Sequence, residues 1–546
     1  MALRVECSNA ETTAPHNVAS IEDKSKITKE SVRHMETSEE IHEPEAAQHG
    51  SSSIRESHSR STIEPEAAQD GSSSSRESHS PSTTEPEYTT SDCGDVGDFY
   101  KPLLDVINLE ALCLASIRAR FRLDTVSLAG SAMLTCQIAD IPMMGASHAV
   151  WMIEFSDGVK WIARVPGHSY RSFGDDEKQD MMGRIKVTKF IRKNTSIPMP
   201  DIFAWQLDKG NPVRVPYTLE EFIEGRLLSE LWTDESWTTE EKRLRVLTQL
   251  ARAMSGLTAF TFDQIGTLTM QDNGRPGEIK KMLCRDNDNL DDNEIWGEEL
   301  YTMGPYSAMS DYLRECHEDP KPVETEEAKW TWALHQLERL AIDSIPDSID
   351  KAGFALGHGD YNSHNILVND DGDVTGIIDW NASVMPRAFG CARYPIWLTP
   401  DWDPVKYGWE LEDVREFDSP SQLLKYRQIY AKAFAEAVTE LNLPGDSHYA
   451  TDDTKLSPLI EAIWYARDQD GVEGPWIILR LLHWAFDGKP PCTMKEYFDA
   501  WQVGQAGELT ALIRDAFNKM WHAEPEDPAE YQVTYKQFLD AMRPQD

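Results

Sequence analysis

One stretch constrains the fold more than any other: residues 357–380, which read GHGDYNSHNILVNDDGDVTGIIDW. Asp360 stands five positions before Asn365, and the apolar run ILV follows at once. An acidic turn of the kind that closes a hairpin comes next, and then a second apolar run, VTGII, which ends on Asp379. The pattern predicts two short buried strands whose ends bring Asp360, Asn365 and Asp379 to one point.

These three polar side chains suit one kind of chemistry. An aspartate, an asparagine and a second aspartate provide hard oxygen atoms, which are the ligands that Mg²⁺ prefers, and a carboxylate that orients a hydroxyl. A simpler interpretation applies to their neighbours, because aspartates such as those of the turn at 370–373 are common on protein surfaces. A zinc site at His358 and His364 is disfavoured, since no third ligand lies nearby in the sequence.

The order of these residues resembles the aminoglycoside phosphotransferase and choline kinase branch of the protein-kinase-like fold, including its fungal members. The family pattern H-x-D-x-x-x-x-N, followed by I-D-W, appears here as His358, Asp360, Asn365, Ile378, Asp379 and Trp380. The resemblance implies that Asp360 is the catalytic base and that Asn365 and Asp379 bind magnesium. Protein kinases carry H-R-D, D-F-G and A-P-E instead, so the resemblance favours a small-molecule kinase over a protein kinase.

The chain before this motif begins with a low-complexity region. Residues 1–95 are rich in Ser, Glu and Thr, and a 21-residue repeat starts at Glu43 and again at Glu64. Such a composition buries too little apolar surface to offset the loss of chain entropy on folding. The sequence therefore predicts a disordered tail over residues 1–95.

A strand-like stretch that ends at Ile141 is followed by a small-residue loop over residues 143–148 and by two further strands up to Val165. In the family that this chain resembles, such a loop lies over the phosphates of ATP, which implies nucleotide contacts at Gly145 and Ser147. A basic residue on the third strand grips the phosphates, and Arg164 occupies that position. Because the loop holds one glycine and is not a G-x-G-x-x-G motif, an ordinary hairpin turn stays open as the alternative.

The next helix departs from the family pattern. Residues 178–193 are predicted to be helical, and Arg184 stands where the family places a glutamate that pairs with the basic residue of the strand. Glu177, two turns earlier, is an alternative partner. The strand after the helix resembles the hinge between the two lobes, where the backbone of Glu221, Phe222 and Ile223 would meet adenine. An edge strand followed by a turn is the competing interpretation of that segment.

The composition of the chain indicates which binding partners and which cellular compartment are favoured. The formal net charge of −40 disfavours nucleic acid and anionic membranes as partners. The eight cysteines form no C-x-x-C pair, which favours buried thiols over a disulfide framework. The first residues lack the apolar segment of a signal peptide, and no run approaches the roughly 20 apolar residues that span a bilayer. These features predict a cytoplasmic protein.

Together, the motifs predict an α+β, bilobal protein-kinase-like fold. Its small antiparallel-sheet lobe would span residues 96–220 and its helical lobe residues 221–546. The implied activity is ATP- and Mg²⁺-dependent transfer of a phosphoryl group to a hydroxyl of a small molecule, with a nucleotide-binding scaffold as the alternative. The C-terminal helices would shape the acceptor pocket, and its candidate aromatic side chains are Trp397, Trp402, Trp464 and Trp476. The acceptor itself and partners of the tail stay open.

Overall fold

The computed structural model describes residues 3–6, 94–123, 134–145, 147–170, 173–285, 300–315, 326–351, 353–387, 390–399, 418–441, 481–483, 485–486 and 489–522. The contacts divide the chain into one compact unit of residues 1–8 and 92–546 and a second of residues 9–91. The second unit, which holds most of the predicted tail, lies outside the described residues. So do Trp402, Trp464 and Trp476.

An antiparallel sheet forms the first lobe. Its strands are β1 (Leu3–Glu6), β2 (Thr135–Ile138), β3 (Met143–Met144), β4 (His148–Phe155), β5 (Lys160–Pro166), β6 (Ile202–Gln206) and β7 (Tyr217–Glu221). The order is β1-β2-β4-β5-β7-β6, and β3 pairs with β4. Strand β1 lies inside the region predicted to be disordered, so that prediction is wrong for Leu3–Glu6.

The two faces of this sheet differ because side chains alternate along each strand. The face that carries Trp151, Ile153 and Ala163 is fully buried and packs with the helices α1 (Gly94–Val106) and α2 (Leu109–Leu123). The other face carries His148 and Arg164, which are only partly covered. The polar face is therefore the one available to a ligand.

A disulfide joins α2 to the sheet. Cys113 and Cys136 are bonded, with their Cα atoms 6.2 Å apart, and both are fully buried. The prediction of buried thiols is wrong for this pair. The side chain of Cys391 is buried, as predicted, whereas those of Cys284 and Cys492 are partly exposed.

The helix α3 (Asp175–Asn194) connects β5 to β6, and the chain leaves the sheet after β7. It then forms the short strand β8 (Arg226–Leu227), which pairs with the strand of the central motif. That motif is an antiparallel hairpin of β14 (Ile366–Val368) and β15 (Val374–Ile377). The predicted hairpin is confirmed.

The remaining elements form the second lobe. Its helices are α4 (Leu228–Leu231), α5 (Glu240–Ser255), α6 (Met309–Glu315), α7 (Glu326–Asp343), α8 (Asp347–Asp350), α9 (Pro420–Leu441), α10 (Met494–Gln502) and α11 (Gly507–His522). Its strand pairs are β9 (Thr267–Met270) with β10 (Pro276–Lys280), β11 (Met282–Arg285) with β12 (Leu300–Met303), and β13 (Phe354–Gly357) with β16 (Ser383–Pro386). One hydrophobic core extends through most of these elements.

Helices α5 and α9 pack together around a buried ion pair. Arg243 on α5 donates to Asp418 Oδ1 at 2.9 Å, just before α9, and to the hydroxyl of Tyr426 at 3.0 Å. Trp232 donates to the other oxygen of Asp418 at 2.7 Å. Each charge is compensated, as burial requires. Helix α5 also contacts β15 of the central hairpin, described above.

The architecture is α+β, with an antiparallel sheet in one lobe and a mostly helical second lobe, which confirms the predicted bilobal protein-kinase-like fold. The exact boundaries at 96–220 and 221–546 stay a prediction. Within the described ranges, no helix is both long and apolar enough to cross a membrane.

Candidate active site

Asp360 lies in a short polar loop between β13 and a 3₁₀ turn, Ser363–Asn365. Two neighbours bind the same carboxylate oxygen: the ring nitrogen Nε2 of His364 is 2.8 Å from Oδ2, and the amide of Asn365 donates to it at 3.0 Å. The Asn365 amide also donates to the backbone carbonyl of Asp360 at 2.9 Å. The structure thus brings two of the predicted site residues together, and it adds His364.

His358 connects the Asp360 loop to the end of β15. Its Nε2 lies 2.8 Å from the carbonyl of Ile378, and its Nδ1 accepts from the backbone N–H of Asp360 at 3.3 Å. A carbonyl only accepts, so Nε2 carries the proton and Nδ1 does not. Burial lowers the pKa of His358, which agrees with this neutral form. His358 therefore has a structural role, because it connects two backbone segments of the site.

Asp379 follows Ile378 and therefore lies next to this loop. The N–H of Ile378 donates to the carbonyl of Asn365 at 2.9 Å, which holds the two metal-ligand candidates on neighbouring backbone segments. Asp379 has a φ of +59°, in the left-handed region that non-glycine residues seldom adopt. Such strain, when the surrounding structure maintains it, is typical of functional sites.

Arg164 reaches Asp379 from the first lobe. Its guanidinium donates to Asp379 Oδ1, although the two residues are 215 positions apart. Burial opposes the charge of Arg164, but Asp379 and Glu220 outweigh it and raise the pKa of Arg164. Burial likewise opposes the charge of Asp379, and Arg164 outweighs it and lowers the pKa of Asp379. The three predicted residues of the motif thus meet the predicted basic residue in one place.

His148 is the second partner of Arg164. The same guanidinium nitrogen that reaches Asp379 lies 3.1 Å from His148 Nδ1. Burial, and then the charge of Arg164, lower the pKa of His148 well below its ordinary value. A neutral His148 accepts a hydrogen bond at Nδ1, and this arrangement holds the guanidinium between the two lobes.

Helix α3 provides no acidic partner for Arg164 in the described structure. Glu177, the alternative partner considered from the sequence, instead accepts from the backbone N–H of Gly174 at 2.7 Å and lies 2.9 Å from His168. That alternative is wrong, because the first turn of the helix uses this carboxylate as a cap. Arg184 donates to Asp180 at 2.6 Å on the same helix. The partners of Arg164 in the described structure are instead His148 and Asp379.

The small-residue loop is a tight hairpin turn between β3 and β4. The N–H of Gly145 donates to the carbonyl of His148 at 3.0 Å, and the carbonyl of Gly145 accepts from the Tyr100 hydroxyl at 2.7 Å. The carbonyl of Ser147 accepts from the N–H of Gly167 at 2.9 Å. Because these groups are bonded within the protein, the hairpin-turn interpretation describes this loop, and nucleotide contacts at Gly145 and Ser147 stay a prediction.

The predicted hinge residues leave the sheet at the end of β7. The N–H of Glu221 donates to Asp201 at 2.8 Å, so this group is already used. The backbone groups of Phe222 and Ile223 have no backbone hydrogen-bond partner among the described residues. The side chain of Ile223 closes over Gly376 of β15, where a Cβ would lie 2.9 Å from its Cγ2. Adenine contacts at these three residues stay a prediction.

The oxygen atoms near Asp379 fit a hard divalent cation. The amide nitrogen of Asn365 faces Asp360, which leaves its oxygen for another ligand, and Arg164 bonds one of the two oxygens of Asp379. A half-exposed carboxylate and an amide oxygen match the ligand preference of Mg²⁺. No cluster of three His, Cys, Asp or Glu side chains suited to a metal occurs in the described ranges.

Two of the residues at the site were not identified from the sequence as contributors. His148 carries no motif of its own, and its contact with Arg164 depends on the pairing of β4 with β5. His364 lies four positions after Asp360, a spacing that a single helical turn converts into contact. That spacing was the available signal for His364.

Residues 142–389 match the family described as APH, the phosphotransferase enzyme family. The match covers the hairpin turn, Arg164, the hinge and the whole central motif. It confirms the resemblance drawn from Asp360, Asn365 and Asp379 over this segment of the chain.

Curated relatives carry the name "Altered inheritance of mitochondria protein 9, mitochondrial". The protein from Zygosaccharomyces rouxii is 26% identical over 237 residues, which are 38% of this chain and 36% of that protein. The protein from Saccharomyces cerevisiae strain RM11-1a is 21% identical over 350 residues, which are 53% of this chain and 54% of that protein. The matches thus span between about a third and about a half of these relatives. Their names contradict the predicted cytoplasmic location.

Solved structures show a weaker similarity. Macrolide 2'-phosphotransferase MphH from Brachybacterium faecium has a TM-score of 0.32 at 13% identity, over 61% of this chain and 89% of its own. An amicoumacin kinase, in complex with AMP-PNP, Ca²⁺ and Ami, has a TM-score of 0.34 at 11% identity, over 69% of this chain and 88% of its own. Both TM-scores are low, so the fold assignment rests on the family match and the topology.

Proposed function

We propose that this chain is an ATP- and Mg²⁺-dependent phosphotransferase that moves the γ-phosphoryl group to a hydroxyl of a small molecule. The observation that carries the proposal is the meeting of Arg164 from the first lobe with Asp379 beside Asp360 and Asn365. A basic side chain, a candidate base and two oxygen ligands in one cleft are the components that phosphoryl transfer requires.

In the proposed reaction the acceptor hydroxyl bonds to the γ-phosphorus while the bond to the ADP oxygen breaks. Asp360 takes the proton that the hydroxyl loses, and its half-exposed carboxylate is open to an acceptor. Arg164 donates to the α- and β-phosphates, whose negative charge replaces that of Asp379. The backbone groups of Phe222 and Ile223 orient the adenine.

Asn365 and Asp379 are the residues that would hold magnesium. Bound there, the ion supplies positive charge that stabilises the phosphates as the transferred group develops charge. The carboxylate of Asp379 is oriented by its bond to Arg164, and its backbone adopts a left-handed conformation that is typical of functional sites.

A nucleotide-binding scaffold without turnover is the second candidate. Two observations favour it: the Gly145 amide is bonded within its own turn, and α3 offers no carboxylate to Arg164 in the described structure. The retained Asp360, Asn365 and Asp379 favour the enzyme.

The test is incubation of the full chain with γ-labelled ATP, Mg²⁺ and a fractionated metabolite extract of the source organism, beside Asp360→Asn. We expect label in a small molecule with the unaltered chain and not with the variant. The fraction that takes the label also identifies the acceptor. If the chain binds Mg-ATP but transfers no label in any fraction, the phosphotransferase proposal is wrong and the scaffold is the better interpretation.

The names of the relatives also support a mitochondrial location for this chain. Expression of the full chain with a C-terminal fluorescent tag is expected to give signal that overlaps a mitochondrial dye. A signal spread evenly through the cell would contradict this placement.

A further inference from the structure

The two oxygens of the Asp360 carboxylate lie in different surroundings. Oδ2 lies 2.8 Å from Nε2 of the His364 ring and accepts a hydrogen bond from the side-chain amide of Asn365 at 3.0 Å. Among the described residues, Oδ1 has no hydrogen-bond partner. A carboxylate that is held at one oxygen presents the other in a defined direction, and a proton acceptor needs that property.

The backbone holds His364 in place to make this contact. His364 is the middle residue of the 3₁₀ turn, whose start is capped by Asn362, with the Asn362 side chain accepting from the N–H of Ser363 at 2.8 Å. The N–H of Asn365 donates to the carbonyl of Asn362 at 3.0 Å. The backbone of His364 is therefore held by the turn beside the Asp360 loop.

Stability alone does not account for the pair. Both side chains are half exposed, His364 at 49% and Asp360 at 50%. Ion pairs or hydrogen bonds between such exposed groups contribute little to folding. The contact matters more for the direction of one carboxylate oxygen than for holding the fold together.

We propose that His364 is a positioning residue for the carboxylate of Asp360. With Asn365 it holds Oδ2, so that Oδ1 takes the proton of the acceptor hydroxyl. Asn365 alone would hold Oδ2 through one hydrogen bond, which leaves the carboxylate freer to rotate than two bonds do. This inference rests on the proposed phosphotransferase function and assigns a residue that the family motif does not contain.

The test compares His364→Leu with His364→Gln, whose side-chain amide places a donor near the position of Nε2. The substrates are Mg-ATP and the extract fraction that accepts label from the unaltered chain. We expect His364→Leu to lower kcat roughly ten- to hundredfold with the KM for ATP unchanged, since small misplacements of catalytic groups have effects of that size. His364→Gln is expected to restore most of the rate. Ser363→Ala in the same turn is the control and should match the unaltered chain.

A second readout does not depend on turnover. In a histidine ¹H–¹⁵N spectrum, we expect His364 to carry its proton on Nε2, and Asp360→Ala to abolish that preference. Full activity of His364→Leu, or a tautomer unaffected by Asp360→Ala, would overturn the inference while the phosphotransferase function stands. Absence of label transfer by the unaltered chain would instead overturn the proposed function.

Discussion

Replacing Arg164 by methionine should change metal and nucleotide affinity in opposite directions. Arg164 bonds Asp379 in the ligand-free chain, and Asp379 is also the proposed magnesium ligand. Methionine keeps most of the apolar length of the side chain and removes the charge. The carboxylate of Asp379 then has no cation beside it, so a divalent ion binds without displacing one.

The magnitude follows from the exposure of the pair. The Asp379 side chain is 48% exposed and that of Arg164 is 16% exposed, so solvent screens their attraction and about 1 kcal/mol is a reasonable value. That energy corresponds to a roughly fivefold tighter binding of the ion alone. A nucleotide loses a charged donor to its phosphates, which costs about 1.5–3 kcal/mol, or roughly ten- to a hundredfold in affinity.

Two titrations measure these effects. Mn²⁺ binding is followed by electron paramagnetic resonance without nucleotide, and Mg-ADP binding is followed by calorimetry. Arg252→Met, which removes a half-exposed arginine bonded to Glu440 between α5 and α9, is the control for loss of one positive charge. Affinities that fall together, or that both match the control, would refute the placement of Arg164 between phosphate and metal ligand.

Three further predictions concern the packing around the site. Gly376→Ala places a methyl group 2.9 Å from Ile223 and should weaken Mg-ADP binding measured by calorimetry, whereas Gly210→Ala, with open space around its Cβ, should not; equal affinities would contradict a role for Ile223 in the cleft. Asp418→Ala leaves Arg243 buried without its carboxylate and should lower the free energy of unfolding in urea by about 3–5 kcal/mol. Glu440→Ala, which removes an exposed partner of Arg252 between the same helices, should leave stability nearly unchanged, and equal losses would contradict the argument from burial. Burial lowers the pKa of His358, so the unfolded chain binds a proton near pH 6.5 that the folded chain does not, and stability should fall as the pH drops below about 6.5. His358→Gln should show a shallower fall of Tm between pH 8 and 5, and identical slopes would exclude this contribution.

The central hairpin could be predicted from the sequence because its signals are local. Apolar runs, a turn and polar ends lie within one segment, so Asp360, Asn365 and Asp379 needed no knowledge of distant contacts. The resemblance to a known family made it possible to predict Arg164 and the two-lobed fold as well.

The contacts of Arg164 could not be predicted in the same way. His148 becomes its partner through strand pairing, and Asp379 through the approach of two lobes, and neither depends on local propensity. Glu177 is attractive by sequence position, but the free N–H groups at the start of α3 compete for it and bind it. The bond between Cys113 and Cys136 likewise depends on a helix packing against a strand 23 residues away.

The charge pattern of α3 has a consequence for regulation. In protein kinases, activity is controlled by moving a helix whose glutamate pairs with the phosphate-binding lysine. Here α3 presents Arg184, already bonded to Asp180, and the partners of Arg164 lie on a strand and on the central hairpin. Helix α3 thus makes no ion pair with Arg164 in the described structure. A shift of α3 would therefore break neither of the two contacts of Arg164.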